Sequence, residues 1–255
     1  MRLGHHCGKT ITSEITRHKS EMMTMSKNPF FSVIVPAFNS AEYIRKGLDS
    51  VKAQRFTDYE LIVVCDNCVD NTAEIAREYT DKVITCNHFV DGPTRNHGLD
   101  LAIGQWVLFL DDDDWFLHEF VFEMLATVIR EQIQEDDVDI IAFSFIWKGV
   151  GYASNTQQRI FPAVWNKAWK REFIGDERFP DAGYQDDYAF AVKMHPKARF
   201  VIYDQPLYYY NFMRPGCVSE KIRDGVIDIS ELPESLIEVA KGYKDALKCG
   251  GDSFR

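Results

Sequence analysis

Apolar runs alternate with amphipathic segments along the chain from residue 31 onwards. Short continuous apolar runs are typical of strands buried on both faces of a parallel sheet, and apolar positions recurring every three or four residues predict helices. The runs predicted as strands are 31–39, 59–65, 82–86, 105–110 and 138–147. The predicted helices are 41–54, with Ser40 as a candidate cap, one beginning at Asp70 and Asn71, a short one closed by Gly104, and 117–132.

This alternation predicts an α/β fold with a mostly parallel central sheet and helices on both faces. Ligands of such sheets bind outside the carboxyl ends of the strands. Asn39, Asp66 and the segment Asp111 to Asp114 all follow strand ends, although they lie far apart in the sequence. We therefore expect three separate loops to converge at one edge of the sheet.

Composition excludes several classes of protein. The chain has 255 residues, 45% of them hydrophobic, which suffices for one large domain or two small ones. Its formal net charge of -10 argues against a nucleic-acid-binding surface, which needs an excess of Lys and Arg. No run approaches the roughly 18 apolar residues of a membrane span. We expect a cytoplasmic protein, with peripheral contact at the cytoplasmic membrane face left open.

The termini and cysteines add little chemistry of their own. Residues 1–28 are polar and lack the apolar core of a signal peptide. We predict that they form a disordered or over-extended tail. Six scattered cysteines fit a reducing compartment. Cys65 and Cys68 form a C-x-x-C pair, but a structural zinc site would need a second pair, which Cys86 with the distant His5 or His6 supplies poorly.

The stretch LFLDDDDW places four consecutive carboxylates directly after a predicted buried strand. Carboxylates at this spacing repel one another unless a cation lies among them. The quartet is therefore either a solvated loop or helix cap, or a site for a hard divalent cation, which prefers carboxylate oxygens.

Three longer segments lie in the first half of the chain: SVIVPAFNSAEYIRKGLDSVKAQ, YELIVVCDNCVDNT and GPTRNHGLDLAIGQWVLFLDDDDW. In order and spacing they resemble the nucleotide-sugar-binding half of the family 2 glycosyltransferases, which have the GT-A fold. VWNKAWKREFI, RFPDAGYQDDYAF and PLYYYNFMRPGCVS resemble segments of the family's capsule, teichoic acid and lipopolysaccharide transferases. The resemblance implies a catalytic domain over 29–220, divided into a donor half (29–116) and an acceptor half (117–220), with a helical tail over 221–255.

The resemblance also implies a metal and donor site. The D-x-D motif matches Asp111 to Asp113, with Asp113 the best candidate for contact with Mn²⁺ or Mg²⁺, Asp111 a second metal ligand, and Asp111 or Asp112 nearer the ribose and phosphate. The other residues implied on the donor side are Pro36, Asn39, Asp66, Arg95 and, as a lid cation, Arg214. Asp66 stands in Cys-Asp-Asn-Cys where the family usually has two acids in tandem, which weakens the preference for uracil. Turn, ion-pair and solvated roles remain open for Asn39, Arg95 and Arg214, respectively.

The acid pair Asp186 and Asp187 matches the family's E-D-x-x-F motif, with Asp186 in place of Glu. A carboxylate within hydrogen-bond reach of the acceptor hydroxyl can take its proton, and the resemblance assigns this role to Asp187. N-capping of the following helix is the alternative for both acids. The resemblance implies inversion at the anomeric carbon. The residues assigned to the acceptor side are Trp115, Trp165, Asn166 and Lys167, with core packing as the alternative for Trp165.

The sequence thus indicates a metal-dependent inverting glycosyltransferase that uses a nucleotide-diphosphate sugar, with UDP-sugar favoured, and a glycan or lipid-linked hydroxyl acceptor. Self-association through the C-terminal helix is a further expectation. Two alternatives remain. A sugar-nucleotide nucleotidyltransferase would release pyrophosphate, and a catalytically silent sugar-nucleotide-binding or scaffold protein would bind donor without turnover.

Overall fold

The computed structural model describes residues 28–135, 137–155, 160–181 and 186–212. Strands and helices alternate through the first half, and one sheet of nine strands runs through these residues. The strands are β1 (Phe31–Ala37), β2 (Tyr59–Asp66), β3 (Val83–Cys86), β4 (Trp106–Phe109), β5 (Trp115–Phe116), β6 (Ile140–Trp147), β7 (Gly151–Ala153), β8 (Lys167–Lys170) and β9 (Phe200–Tyr210). The helices are α1 (Ile44–Lys52), α2 (Thr72–Arg77), α3 (Asp91–Leu101), α4 (Val121–Glu135), α5 (Arg171–Ile174) and α6 (Asp186–Met194), followed by a 3₁₀ turn, His195–Lys197.

The sheet has the order β3-β2-β1-β4-β8-β6-β9-β5, with β7 paired to β6. The four strands of the first half are parallel to one another. The second half is mixed: β8 is antiparallel to both β4 and β6, whereas β9 is parallel to β6. The α/β class predicted from the hydrophobic alternation is therefore confirmed.

Strand β1 shows why the first half must be covered on both faces. All seven of its residues are buried, and successive side chains point to opposite faces of the sheet. Val33 and Val35 belong to a core shared with α1 and α4, whereas Ile34 belongs to a second core shared with α3 and α6. A strand between two cores needs apolar residues at every position, which accounts for the continuous apolar run in the sequence.

The order of the strands also fixes where the functional loops meet. The chain passes from β1 to β2 and β3 on one side, and β4 then pairs with the other side of β1. Adjacent parallel strands at such a reversal leave a crevice at their carboxyl ends. A backbone contact documents the convergence: the N–H of Phe38, after β1, donates to Oδ2 of Asp112, after β4, at 3.0 Å.

Two helix starts differ from the prediction. Ser40 does not cap α1 with its side chain; instead its N–H donates to Thr72 Oγ1, and residues 41–43 form turns before the helix begins at Ile44. Helix α3 begins at Asp91, so the predicted loop around Gly92 and Pro93 is helical. Proline fits the first turn of a helix because the N–H it lacks would have no intrahelical acceptor there.

Some predictions fall outside the described residues. They concern residues 1–27 of the predicted tail, the predicted lid cation Arg214, and the predicted helical tail over 221–255. Among the helices that the structure describes, none has both the length and the apolar character needed to cross a membrane.

Candidate active site

The acidic quartet after β4 divides into one buried and three partly exposed residues. Asp114 is fully buried, and its carboxylate accepts hydrogen bonds from Tyr208 Oη at 2.8 Å and from the Asn211 N–H at 2.7 Å. Burial, together with the charges of Asp113 and Asp111, raises the pKa of Asp114 well above its ordinary value. Asp114 therefore joins the β4–β5 loop to β9, and only Asp111 to Asp113 are available to a ligand.

Tyr208 also supports the backbone of the quartet. Its hydroxyl accepts the N–H of Asp111 at 3.1 Å while donating to Asp114. A turn closes between them, since the N–H of Asp114 donates to the carbonyl of Asp111 at 3.1 Å. Both ends of the quartet are thus held, and the carboxylates of the middle residues are presented at the edge of the sheet.

Arg95 bridges the two acidic motifs. Its guanidinium donates to Oδ1 of Asp111 at 2.9 Å and to Oδ2 of Asp186 at 2.7 Å. The Arg95 side chain is 6% exposed and that of Asp186 is 3% exposed, so this ion pair is buried. Burial by itself would lower the pKa of Arg95, but the surrounding carboxylates raise it well above its ordinary value. The bridge joins segments 91 residues apart and brings α6 to the quartet.

Asp187 lies beside this bridge at the start of α6 and remains partly exposed, in contrast to Asp186. Burial raises the pKa of Asp187 to about 6; the nearby Arg95 charge opposes the rise and Asp111 adds to it. Burial raises the pKa of Asp186 to about 7, although Arg95 lowers it. A partly exposed carboxylate with a pKa near neutrality has the access and the basicity that proton transfer requires.

The remaining donor-side residues lie on neighbouring loops. Asp66 is buried at the end of β2, and its Oδ1 accepts the N–H of His88 at 2.6 Å. Asn39 has a left-handed backbone, with φ of 46°, and its Oδ1 accepts the N–H of Val69 at 2.9 Å. Pro36 belongs to β1 itself and is buried there. The loops after β1, β2 and β4 therefore do meet at one edge, as expected from the fold class.

Asp70 links two of these loops rather than facing a ligand. Its Oδ2 accepts the N–H of Ala41 at 3.0 Å, and its Oδ1 accepts the N–H of Thr72 at 3.0 Å at the start of α2. The N-cap residue of α2 is Asn71, so Asp70 precedes the cap and its side chain accepts the N–H of the first helical residue.

Three residues assigned to the acceptor side lie in the core. Trp165 stacks between Tyr208 and Tyr210, with ring centroids at 4.8 and 4.9 Å. Asn166 and Lys167 are fully buried. The Lys167 Nζ donates to the carbonyls of 161 and 163 and to Asn166 Oδ1, and burial lowers its pKa well below the ordinary value. Without exposed surface these residues cannot line an acceptor pocket, which corrects that assignment.

Trp115 differs from this group because it is partly exposed. Its ring stacks on Tyr209 at a centroid distance of 4.0 Å, and Lys46 Nζ lies 3.1 Å above the ring centroid. Tyr209 and Lys46 therefore cover the two faces of the Trp115 ring. Of the four residues assigned to the acceptor side, Trp115 alone keeps partly exposed surface for that role.

Sequence reasoning missed Tyr208 and the backbone of Phe38 as supports of the quartet. Along a strand, Tyr208 and Tyr210 must face one side of the sheet and Tyr209 the other. No local signal in the sequence, however, identifies Asp114 as the partner of Tyr208. Their separation of 94 residues is the reason.

Comparisons with known proteins find glycosyltransferases. Residues 32–195 match the family model described as Glycosyl transferase family 2. The putative glycosyltransferase EpsH of Bacillus subtilis is 29% identical over 214 residues, which cover 72% of this chain and 61% of that protein. A Campylobacter jejuni GalNAc(5)-diNAcBac-PP-undecaprenol beta-1,3-glucosyltransferase is 24% identical over 239 residues, 84% of this chain and 77% of that protein.

Solved structures are similar as well. Residues 1–349 of Staphylococcus aureus TarS, crystallised with UDP, superpose with a TM-score of 0.63 at 26% identity, covering 84% of this chain and 70% of that one. The Pyrobaculum calidifontis mannosyltransferase PcManGT, crystallised with GDP-Man and Mn²⁺, has a TM-score of 0.59 at 18% identity and covers 91% of this chain and 76% of that one. The latter similarity concerns the fold alone.

Proposed function

Because the chain belongs to glycosyl transferase family 2, we propose that it transfers a sugar from a nucleotide-diphosphate donor to a hydroxyl acceptor, with inversion at the anomeric carbon. The observation that carries the proposal is the Arg95 bridge. The buried guanidinium binds Asp111, which we assign to the donor side, and Asp186, the neighbour of Asp187 at the start of α6. Donor activation and proton removal must occur within a few ångströms of one another, and this arrangement provides both groups at one edge of the sheet.

A UDP-sugar is the donor class that we favour. Asp66 and Asn39 stand at the ends of β2 and β1, where a nucleoside would lie along the crevice between neighbouring loops. The similarity to TarS, which was crystallised with UDP, supports the same choice.

The residues after β4 suit a hard divalent cation. Asp111, Asp112 and Asp113 offer partly exposed carboxylate oxygens, the ligand type that Mg²⁺ and Mn²⁺ prefer. We assign Asp113 and Asp111 to the metal, whereas Asp112 also accepts the N–H of Phe38. A bound divalent cation would neutralise charge that develops on the leaving nucleoside diphosphate.

The chain's own groups supply the other parts of the reaction. Asp187 accepts the proton of the acceptor hydroxyl as the hydroxyl oxygen attacks the anomeric carbon and the bond to the diphosphate breaks. Arg95 holds Asp186 and Asp111 in place and contributes positive charge near the diphosphate. One displacement by the acceptor, without a covalent intermediate, inverts the anomeric configuration. Trp115 remains the candidate for the acceptor side because its side chain is partly exposed directly after the quartet.

The acceptor class that we propose is a growing surface glycan or a lipid-linked precursor. This rests on the relatives: one acts, by its name, on an undecaprenol-linked glycan, and TarS is named a poly(ribitol-phosphate) beta-N-acetylglucosaminyltransferase.

The test is nucleoside diphosphate release from UDP-, GDP- and dTDP-sugars in the presence of Mn²⁺. We expect slow hydrolysis of one donor by the parent protein, and a loss of at least about 100-fold in Asp113→Ala and in Asp187→Ala. Asp81→Ala, at an exposed carboxylate between α2 and β3, is the matched control and should keep the parent rate.

Two results would contradict the proposal. Release of pyrophosphate instead of nucleoside diphosphate would indicate a nucleotidyltransferase. The second result has two parts: a donor binds tightly but no nucleoside diphosphate is released in any condition, and Asp113→Ala binds Mn²⁺ like the parent. That result would indicate a binding or scaffold protein.

A further inference from the structure

Three potential metal ligands meet on the side of the sheet that faces α3, outside the acidic quartet. Cys86 ends β3, His88 follows two residues later, and His97 projects from α3. Their ligand atoms, one thiol sulfur and two imidazole nitrogens, all lie within 4.8 Å of one another. The proposed transfer reaction uses none of these three side chains.

We infer that Cys86, His88 and His97 bind a divalent cation of the zinc class. One thiolate and two imidazoles form a nitrogen and sulfur ligand set, which suits Zn²⁺ and differs in kind from the carboxylate oxygens of the quartet. Three protein ligands leave a fourth tetrahedral position for water or another small ligand. The site is therefore distinct from the proposed donor-activating metal, both in position and in the cation it prefers.

The distances require only a small adjustment. Tetrahedral Zn²⁺ with bonds of about 2.0–2.3 Å places its ligand atoms about 3.3–3.6 Å apart. The three atoms are therefore within about 1.5 Å of that spacing. His88 is exposed on a loop, and its side chain can rotate toward the others without disturbing the core. Cys86 and His97 belong to regular elements and provide the fixed part of the site.

Regular structure holds these two ligands in place. Cys86 pairs with Asp66 in the parallel β2–β3 ladder. His97 lies two residues after Arg95, whose ion pairs fix α3 against the quartet and α6. Between the strand and the helix, Phe89 has a left-handed backbone with φ of 62°, which is unusual for a bulky residue. This backbone turn lies directly after His88, in the loop that returns the chain from β3 to α3.

The local charge favours a cation. Oδ1 of Asp66 lies 3.7 Å from the Cys86 sulfur and accepts the N–H of His88 at 2.6 Å. The Cys86 thiol donates to this carboxylate. A divalent cation displaces the thiol proton on binding, and the adjacent carboxylate then offsets the charge of the cation. Asp66 therefore acts as a partner of the bound cation rather than as an obstacle to it.

The C-x-x-C pair is not part of this site. Neighbouring residues of a strand face opposite sides of the sheet, so Cys65 and Asp66 point apart, and Cys86 shares the Asp66 side. Cys65 is buried in the core that α1 and α4 share, with Cys68 packed against the same core. The sequence alone offered only distant histidines as partners of Cys86; the fold supplies His88 and His97 instead.

Cobalt substitution tests the inference directly. Titration of the full chain with Co²⁺ at neutral pH should give the visible bands of tetrahedral cobalt and a near-ultraviolet thiolate-to-cobalt band, at one equivalent, and Zn²⁺ should abolish both. Cys86→Ser should lose the thiolate band. His97→Ala and His88→Ala should bind Co²⁺ on the order of 100-fold more weakly. Loss of a residue that only hydrogen-bonds to a metal ligand already costs about 10–100-fold in affinity, and loss of the ligand itself should cost at least as much.

Two variants serve as controls. Cys68→Ser removes a thiol on the other side of the sheet and should keep both bands. Asp113→Ala removes a carboxylate of the quartet and should also keep them, which separates this site from the proposed donor site. Circular dichroism shows whether each variant folds. If Cys86→Ser or His97→Ala does not fold, the variant of the exposed residue, His88→Ala, still tests the site.

The inference is overturned if the thiolate band survives in folded Cys86→Ser, if it disappears in folded Cys68→Ser, or if His88→Ala binds Co²⁺ like the parent. Because these readouts use binding alone, they are independent of whether the protein turns over any sugar donor.

Discussion

Four adjacent aspartates have different roles although their side chains are chemically identical. Asp114 is fully buried and hydrogen-bonded to Tyr208 and Asn211, whereas Asp111 to Asp113 remain partly exposed at the sheet edge. Removing a buried acceptor leaves its donors without a partner, which costs more than the hydrogen bond itself contributes. Loss of an exposed carboxylate has little effect on stability.

At this residue scale we expect Asp114→Ala to lower the free energy of unfolding by about 2–4 kcal/mol, because two buried donors lose their acceptor. Tyr208→Phe should cost about 1–2 kcal/mol, since it removes one hydroxyl from the same network. Asp81→Ala, at an exposed aspartate outside the quartet, is the control and should change stability by less than about 0.5 kcal/mol. Urea unfolding followed by tryptophan fluorescence measures all three; equal effects of Asp114→Ala and Asp81→Ala would contradict the structural role of Asp114.

The acid pair on α6 leads to a prediction about pH. Burial raises the pKa of Asp187 to about 6, and a general base works only when ionised. We therefore expect kcat/KM to rise with pH through a midpoint near pH 6 and to fall about tenfold per unit below it. The reason for the sign is that protons occupy the base below its pKa.

The measurement is initial-rate nucleoside diphosphate release as a function of pH at low donor concentration. Asp187→Glu, if active, should shift the midpoint, whereas Asp81→Ala should leave it unchanged. A parent profile that is flat between pH 5 and pH 8 would argue against Asp187 as the base.

At the scale of elements, α3 is the part of the fold on which both proposed sites depend. It carries Arg95 toward the quartet and His97 toward Cys86, and Gly98 packs it closely against β1. A Cβ at Gly98 would lie 2.4 Å from Ile34 Cγ2, which is far too close for carbon atoms in contact. A small residue is therefore required at this position for α3 to approach the sheet.

We expect Gly98→Ala to destabilise the protein by about 1–2 kcal/mol. Overpacking against fully buried Ile34 costs about 1–3 kcal/mol, and the helix-propensity gain of up to about 1 kcal/mol offsets only part of that cost. Asp100→Ala, on the exposed face of the same helix, loses only a surface ion pair with Arg178 and should stay within about 0.5 kcal/mol of the parent. Thermal and urea unfolding distinguish the two; an unchanged or stabilised Gly98→Ala would show that α3 can move away from β1.

At the scale of the whole molecule, the proposed donor site draws on loops after β1, β2 and β4 and on the start of α6. A ligand that contacts all of these segments binds only the folded chain, so it stabilises the native state by mass action. Donor binding should therefore be visible in the global unfolding transition rather than only in local probes.

We expect UDP with Mn²⁺, each at about 100 times its dissociation constant, to raise Tm by about 5–10 °C. The reason is that a ligand at this concentration stabilises the folded state by about 2.7 kcal/mol. Either component alone should give a smaller shift. Asp113→Ala should lose the Mn²⁺-dependent part of the UDP shift, and Asp81→Ala should retain it. Equal shifts with and without Mn²⁺ in the parent protein would contradict a metal-assisted donor site.

Much of the fold follows from local sequence because local periodicity reflects burial. The doubly covered strands β1, β2 and β4 are continuous apolar runs, and their carboxyl ends carry Asn39, Asp66 and the quartet. Helix starts were less predictable: Ser40 hydrogen-bonds through its backbone to Thr72 instead of capping α1, and α3 begins before Gly92. Such boundaries depend on contacts with other elements, which periodicity does not contain.

The sequence by itself determined the α/β class, the sheet edge at which the loops after β1, β2 and β4 meet, and the residues that resemble a family 2 transferase. Only the tertiary structure decided that Asp114 is a buried support, that Arg95 joins Asp111 to Asp186, and that Trp165 and Lys167 belong to the core. It also brought two histidines to Cys86. The physical reason is that side-chain burial and pairing depend on partners up to 97 residues away, whereas hydrophobic periodicity records only which positions along a segment face a core.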